Sequence, residues 1–503
     1  MLQEPRTLNA FCDDALGDLD AVGIARRIAA KEITPQEAIE AAIARARLVN
    51  PAINALSAEM YDHARQLAKR PYPGELSGVP TFVKDNDDVE GAPTTHGSRA
   101  LAGKPAKHSS PFVDQFHSLG LITLGKTTMP EFGLTGTTES SAHGATRNPW
   151  NLDHSTGGSS GGSAAMVAAG VVPIAHGNDG GGSTRIPAAC CGLVGLKPTR
   201  GRLVNVEGSH LLPVNLVHQG VLTRSVRDTA VFYAGAEKHY KNSDLPAIGL
   251  VDSPNQKRLR IGFFTDGPEH FLSDSDAVAA VHEAAKRCQD LGHHVEEIPF
   301  PFDMVLGEDF LLYWAMLAFM FHNFGKAIYG AEINKKQLEP LTIGLSKHFR
   351  KNLYKIPMAL KRLRGFKAVY EKAYHSVDVM LSPTLGHPPP RIGYLAPDVG
   401  FDSALERLRR FVPFTAIQNV SGAPAVSLPI GMSRRHVPVG VQFAAPYGED
   451  RRLLELAIEL EAQQPFLLNK TSQETQSDNA QAKPVTATTK PAKSGRGAAK
   501  AAV

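Results

Sequence analysis

From residue 78 the chain repeats one texture: a short apolar run, closed by glycine, proline or a polar turn, then another run. "GVPTFVKD" (78–85), "GLITLGKT" (120–127), "GVVPIAHGND" (170–179) and "GLVGLKPT" (192–199) are too short for buried helices and end in turn formers, which predicts buried strands. "SGGSAAMVAAG" (160–170) and "SVRDTAVFYAGA" (225–236) predict intervening helices. "LRIGFFTDG", a helical stretch from about 275 to 291 and "HHVEEI" read as a β-α-β unit. Strand texture returns in "VDVMLSPTL", "APAVSLPIG" and "VPVGVQFAAP", and the helix "EDRRLLELAIELEAQ" follows. Strands at both ends of the chain share this buried character. The expected fold is therefore α/β, with one large mixed central β-sheet covered by helices on both faces.

Three segments flank or interrupt that core, which spans residues 71–470. Residues 1–70 read as a helical region packing on it, and "TPQE" at 34–37 is a capping box that starts a helix running to about residue 48. Residues 303–375 are helical, aromatic and basic, which suits a wall or lid on the substrate side. Their apolar run "FLLYWAMLAFMFHNFG" has 16 residues, short for a bilayer, and reads as a buried helix or pocket wall, with a membrane-facing cap as the minority reading. Residues 471–503, rich in Lys, Ala, Thr and Pro, lack the large apolar side chains that a packed unit needs and read as a disordered tail.

A net charge of +4 on 503 residues gives no reason to expect nucleic acid, so a small neutral or amphiphilic molecule is the expected partner. Stable membrane insertion is not expected, and a homodimer is left open. Cys12, Cys190, Cys191 and Cys288 fit neither a zinc site nor a disulfide framework, and all four are expected as reduced core thiols. The acidic N-terminus lacks the apolar run of a signal peptide, which points to the cytoplasm.

Two local motifs mislead. Gly120–Thr127 matches a P-loop pattern, but its intervening Leu-Ile-Thr-Leu is strand where a phosphate cradle needs loop. Gly157–Gly161 matches the G-x-S-x-G nucleophile elbow, which needs a preceding strand, and "NPWNLDHST" reads as turns. His143, His154 and His176 lie nearby, and none stands out as a partner for that serine.

A larger constellation remains. "GVPTFVKDNDDVEG" (78–91), "GGSSGGSAA" (157–165) and "NDGGGSTRIPAACCGLVGLKPTRGR" (178–202) occur in this order, and together with "HGATRNPWNLDHSTGGSSGGS" and "NVSGAPAVSLPIGMS" they resemble the amidase signature family. The resemblance extends over roughly residues 15–465, and the chain looks close to the branch that includes mycobacterial amidases and cyclic-dimer nylon-oligomer hydrolases. It implies a Ser-Ser-Lys triad of Lys84, Ser159 and Ser183, with the two serines 24 positions apart. It also implies a cis peptide between Gly158 and Ser159, and no metal or organic cofactor. Thr184 departs from the family's usual aliphatic residue after the nucleophile, which puts the fine shape of the site in question.

Chemistry gives these residues their expected roles. Amide hydrolysis passes through an oxyanion that needs preorganised donors, and the amides of Gly180, Gly181, Gly182 and Ser183 can form a nest around it. In the reading the family implies, Ser183 attacks, Ser159 relays its proton, and neutral Lys84 is the terminal base. An uncharged lysine at neutral pH requires a downward pKa shift of about 3 units, which burial can supply. Asp85 is expected to face away from Lys84, with Asp87 and Asp88 turned away or neutralised. Ser160, Asp179 and Arg185 are expected to support the nest through hydrogen bonds. The expected reaction converts a small amide to a carboxylate plus ammonia or amine. An amidotransferase A-like glutaminase working with a partner is the alternative. Selectivity is expected from residues 303–375 and the loop "TTMPEFG".

Overall fold

The computed structural model describes residues 5–267, 271–303, 305–329 and 333–470, so the expected tail at 471–503 lies outside the described residues. Its central element is an eight-stranded mixed sheet. From one edge to the other the strands are His294–Glu297, Arg260–Phe263, Val379–Pro383, Pro438–Ala444, Ala425–Met432, Val194–Lys197, His218–Thr223 and Ile174–Asp179. The first three run parallel and the remaining pairs are antiparallel.

Strand alternation explains how both faces are covered. Gly431 stands opposite Val439 in the ladder, so its neighbour Gly440 faces the other side. A β-carbon on Gly431 would lie 2.7 Å from Ala280 Cβ in helix Ser275–Asp290, and one on Gly440 would lie 2.6 Å from Ala189 in helix Arg185–Cys191. Each glycine admits one helix against the sheet, from opposite sides.

The expectation of a single sheet needs one correction. Pro80–Lys84 and Ile122–Thr127 pair in parallel within a separate three-stranded sheet, completed by Leu56–Glu59. Side chains hold this sheet against the large one: Thr81 Oγ1 donates to Ile174 O (2.9 Å), and the Lys84 amide donates to His176 Nδ1 (3.2 Å). A buried strand's apolar run carries no record of which sheet it joins.

The capping box forms as read: Glu37 N donates to Thr34 Oγ1 (3.2 Å) and Thr34 N to Glu37 Oε2 (2.7 Å). The helix continues to Ile53, past the expected end near residue 48, and closes on Asn54 in the left-handed region (φ 51°). Its Ile39, Ile43 and Val49 belong to the same apolar core as the large sheet.

The 16-residue apolar run extends at both ends into a 25-residue helix, Val305–Tyr329, long and apolar enough by length and composition to cross a membrane. Leu311, Leu312, Tyr313, Ala315 and Ala318 are buried in a second apolar core, shared with helices Pro340–Lys351 and Ile356–Lys372. Cys190, Cys191 and Cys288 are buried thiols. Cys12 is exposed, against expectation, 3.2 Å from Asp14 Oδ2.

The P-loop pattern is ruled out by burial. Ile122–Thr127 is a fully buried strand, and Lys126 Nζ lies 3.2 Å from Asp85, with neither side chain more than 1% exposed. Removing one partner of such a pair strands the other charge without solvent. Asp85→Ala should cost about 3–5 kcal/mol, seen as a lowered urea-unfolding midpoint.

Candidate active site

Lys84 ends its strand with a side chain that is fully buried. Its Nζ lies 2.7 Å from Ser159 Oγ and 2.6 Å from Asn178 Oδ1. Burial pulls the amine down to about 7, against the opposing pull of Asp87 and Asp179. Two of the neighbouring acids are engaged elsewhere. Asp85 meets Lys126, and Asp87 accepts from Ser110 Oγ (3.0 Å), Asn86 Nδ2 (2.7 Å) and Gln219 Nε2 (3.0 and 3.1 Å).

Ser159 follows a cis peptide from Gly158 and precedes helix Gly161–Ala168. Asn151–Ser155, read as turns, forms a five-residue strand, because its backbone pairs with Arg147–Asn148 and bridges to Arg391. Ser159 is nonetheless set beside an amine. His176 instead receives the Lys84 amide on Nδ1, while its Nε2 lies 2.9 Å from Gln219 Oε1. Ser160 ties the serine loop to strand Ile174–Asp179: its amide donates to Ser183 O (3.3 Å), and its Oγ stands 3.3 Å from both Asn178 N and Asn178 O.

The glycine turn is organised by Asp179 and Arg185, both completely buried and paired in a fork: Arg185 Nε donates to Oδ2 and Nη2 to Oδ1, each at 2.9 Å. The three remaining guanidinium hydrogens meet four acceptors at 2.8–3.0 Å: Nη1 donates to Gln418 Oε1 and Gln442 Oε1, and the last Nη2 hydrogen is shared between Thr415 O and Asn419 Oδ1. Burial opposes the Asp179 carboxylate, but the Arg185 charge and the hydrogen bonds from Arg185 and Asn419 overcome it and hold the group well below the carboxylate range. Asp179 Oδ1 also accepts the Gly182 amide at 2.7 Å. One of the four expected oxyanion donors is thereby spent on structure. Among the described residues the amides of Gly180, Gly181 and Ser183 have no protein acceptor. Thr184 gives its amide to Asp179 Oδ2 (3.3 Å) and buries its hydroxyl without a partner among the described residues, the one polar cost of departing from an aliphatic side chain.

The two regions expected to set selectivity meet here. A β-carbon on Gly133, in the "TTMPEFG" loop, would lie 3.1 Å from Ser159 Oγ, and the ring of Phe132 stacks on Tyr329 of the apolar helix (5.8 Å, 18°). Phe310 of that helix abuts the glycine turn, its Cζ 3.0 Å from where a Gly181 β-carbon would stand.

The amidase family profile matches residues 37–454. The chain belongs to the amidase family. It is 45% identical over 460 residues to the putative amidase AmiC of Mycobacterium leprae (strain TN), across 91% of this chain and 98% of that one. It is 36% identical over 498 residues to the 6-aminohexanoate-cyclic-dimer hydrolase of Paenarthrobacter ureafaciens, across 90% and 97%. The solved structure of a 6-aminohexanoate cyclic dimer hydrolase superposes with a TM-score of 0.82 at 33% identity, covering 91% of this chain and 99% of that one. This amidase therefore has the amidase signature fold and is an enzyme that hydrolyses amides.

Sequence reasoning did not single out Asn178, Thr415, Gln418, Asn419 or Gln442. Asn178 and Asn419 lie inside quoted motif blocks, yet nothing local marks them, since each acts on a residue far away in the chain.

Gly180 and Gly182 of this amidase should respond differently to substitution. Gly182 has φ 128°, and a β-carbon there would come within 2.3 Å of Thr415 Oγ1, whereas at Gly180 the nearest atom is Val217 Cγ2 at 3.3 Å. Gly182→Ala should lose about 1–3 kcal/mol from backbone conformation alone. Thermal unfolding should show a clear drop for Gly182→Ala and little change for Gly180→Ala.

Proposed function

We propose that this amidase cleaves a carboxamide C–N bond through an acyl-enzyme on Ser183, using Ser159 and Lys84 as a proton relay. The observation that carries the reading is a fully buried lysine amine, held near pKa 7, at 2.7 Å from a serine hydroxyl. Ser183 Oγ attacks the carbonyl carbon while its proton passes to Ser159 and the Ser159 proton passes to the Lys84 lone pair. The resulting oxyanion is received by the free amides of Gly180, Gly181 and Ser183. As the C–N bond breaks, the proton returns from Lys84 through Ser159 to the departing nitrogen. Water then attacks the ester under the same relay, releasing the carboxylate.

The names of the similar proteins support small linear amides and cyclic oligoamides as the substrate classes to test first. The aromatic wall of Phe132, Phe310 and Tyr329 beside the serines favours an apolar acyl chain over a charged one.

A fluorophosphonate probe followed by peptide mapping tests the nucleophile. Label is expected on Ser183 and lost in Ser183→Ala, while Ser159→Ala and Lys84→Ala should slow labelling about 10²- to 10⁴-fold. Label on Ser159 with Ser183 dispensable would overturn the assignment. Because the neutral amine is the active form, kcat/KM for any hydrolysed amide should fall about tenfold per pH unit below pH 7 and level off above about pH 8.

A further inference from the structure

Lys84 Nζ has two protein partners, and they differ in kind. Ser159 Oγ can donate or accept, but Asn178 Oδ1 can only accept, so the bond at 2.6 Å must use an N–H of the amine. A neutral amine has two N–H groups and one lone pair, whereas an ammonium has three N–H groups and no lone pair. Once Asn178 holds one N–H, the lone pair of the neutral amine can lie toward the Ser159 hydroxyl and accept its proton. We propose that Asn178 is the positioning residue for Lys84: its side-chain carbonyl fixes the rotation of the amine, and its neutrality leaves the amine uncharged.

The register supports this role. Asn178 sits one residue before Asp179 in strand Ile174–Asp179, five positions before Ser183, and its backbone N and O both stand 3.3 Å from Ser160 Oγ. The residue that orients the amine is thus stapled to the loop carrying Ser159 and continuous with the turn carrying Ser183. The charged and titratable groups around the amine are Asp87, Asp179 and His176. Asp87 and Asp179 are saturated by other donors, so the partner in direct contact decides whether a third negative charge is present.

The inference rests on the relay proposed above, and its test separates the two. The rate of Ser183 labelling by a fluorophosphonate is measured from pH 5.5 to 10 for the full chain, for Asn178→Asp and for Asn178→Ser. Asn178→Asp keeps the shape and adds a carboxylate against the amine, so the midpoint of its profile should move up by about one to three pH units, with labelling recovered at alkaline pH. Asn178→Ser removes the amide without adding charge, and its midpoint should stay within about half a unit of the parent, with a lower plateau because the shorter side chain holds the amine less firmly. A parent-like midpoint in Asn178→Asp, or an equal upward shift in Asn178→Ser, would overturn the role of Asn178 while leaving the relay standing. Failure of the parent to label at Ser183 would overturn both.

Discussion

The buried fork between Asp179 and Arg185 is the interaction around which the site is assembled. Neither side chain reaches solvent, so the pair is tolerable only because every charged edge is met: the guanidinium by the carboxylate, two glutamines, an asparagine and a main-chain carbonyl, and the carboxylate by Arg185, Asn419 and the amides of Gly182 and Thr184. Such saturation turns an otherwise costly burial into a geometric constraint. It draws residues 415–442 against the glycine turn, and it fixes the path of the chain between strand Ile174–Asp179 and helix Arg185–Cys191. Among the described residues the amides of Gly180, Gly181 and Ser183 have no protein acceptor, while Asp179 takes those of Gly182 and Thr184.

A second constraint is the seam between two sheets. Lys84 reaches Ser159 because its short strand lies against the edge strand of the large sheet without joining its ladder. Ordinary pairing there would use backbone groups that instead meet a threonine hydroxyl and a histidine nitrogen. The seam is buried, and burial lowers the proton affinity of the amine. Asp85 and Asp87, which follow Lys84 in sequence, would undo this effect if they faced it unpartnered. Lys126, Ser110, Asn86 and Gln219 occupy them. Depressed lysine basicity therefore depends on how the surrounding carboxylates are satisfied as much as on burial itself.

Much of this was legible before the fold. The capping box at Thr34–Glu37, the strand nature of "GLITLGKT" and the run from Ile174 to the glycine turn follow from periodicity and turn chemistry, which are local. Lys84, Ser159 and Ser183 were legible because three ordered blocks match a family pattern. Other features were not. The strand Asn151–Ser155 looked like turns because its pairing comes from neighbours its own composition does not name. The apolar helix outgrew its apolar run because Glu308, Asp309 and Lys326 continue the helix at its ends. Cys12 was expected inside on residue type alone, and it lies outside. The Gly182 amide, counted as an oxyanion donor, proved to be committed to Asp179, which no glycine count could reveal.

By itself the sequence determined the alternation of strands and helices and the glycine turn, since each follows from residue type and short-range spacing, while two hydroxyls and one amine were marked only by the resemblance to a family pattern. Tertiary structure alone decided which sheet Lys84 belongs to, which amides stay free, and that a neutral carbonyl from Asn178 touches the amine. The reason is physical: hydrogen-bond saturation and desolvation are properties of atoms brought together from positions 84, 159, 178 and 419, and their energies exist only once the chain has closed around them.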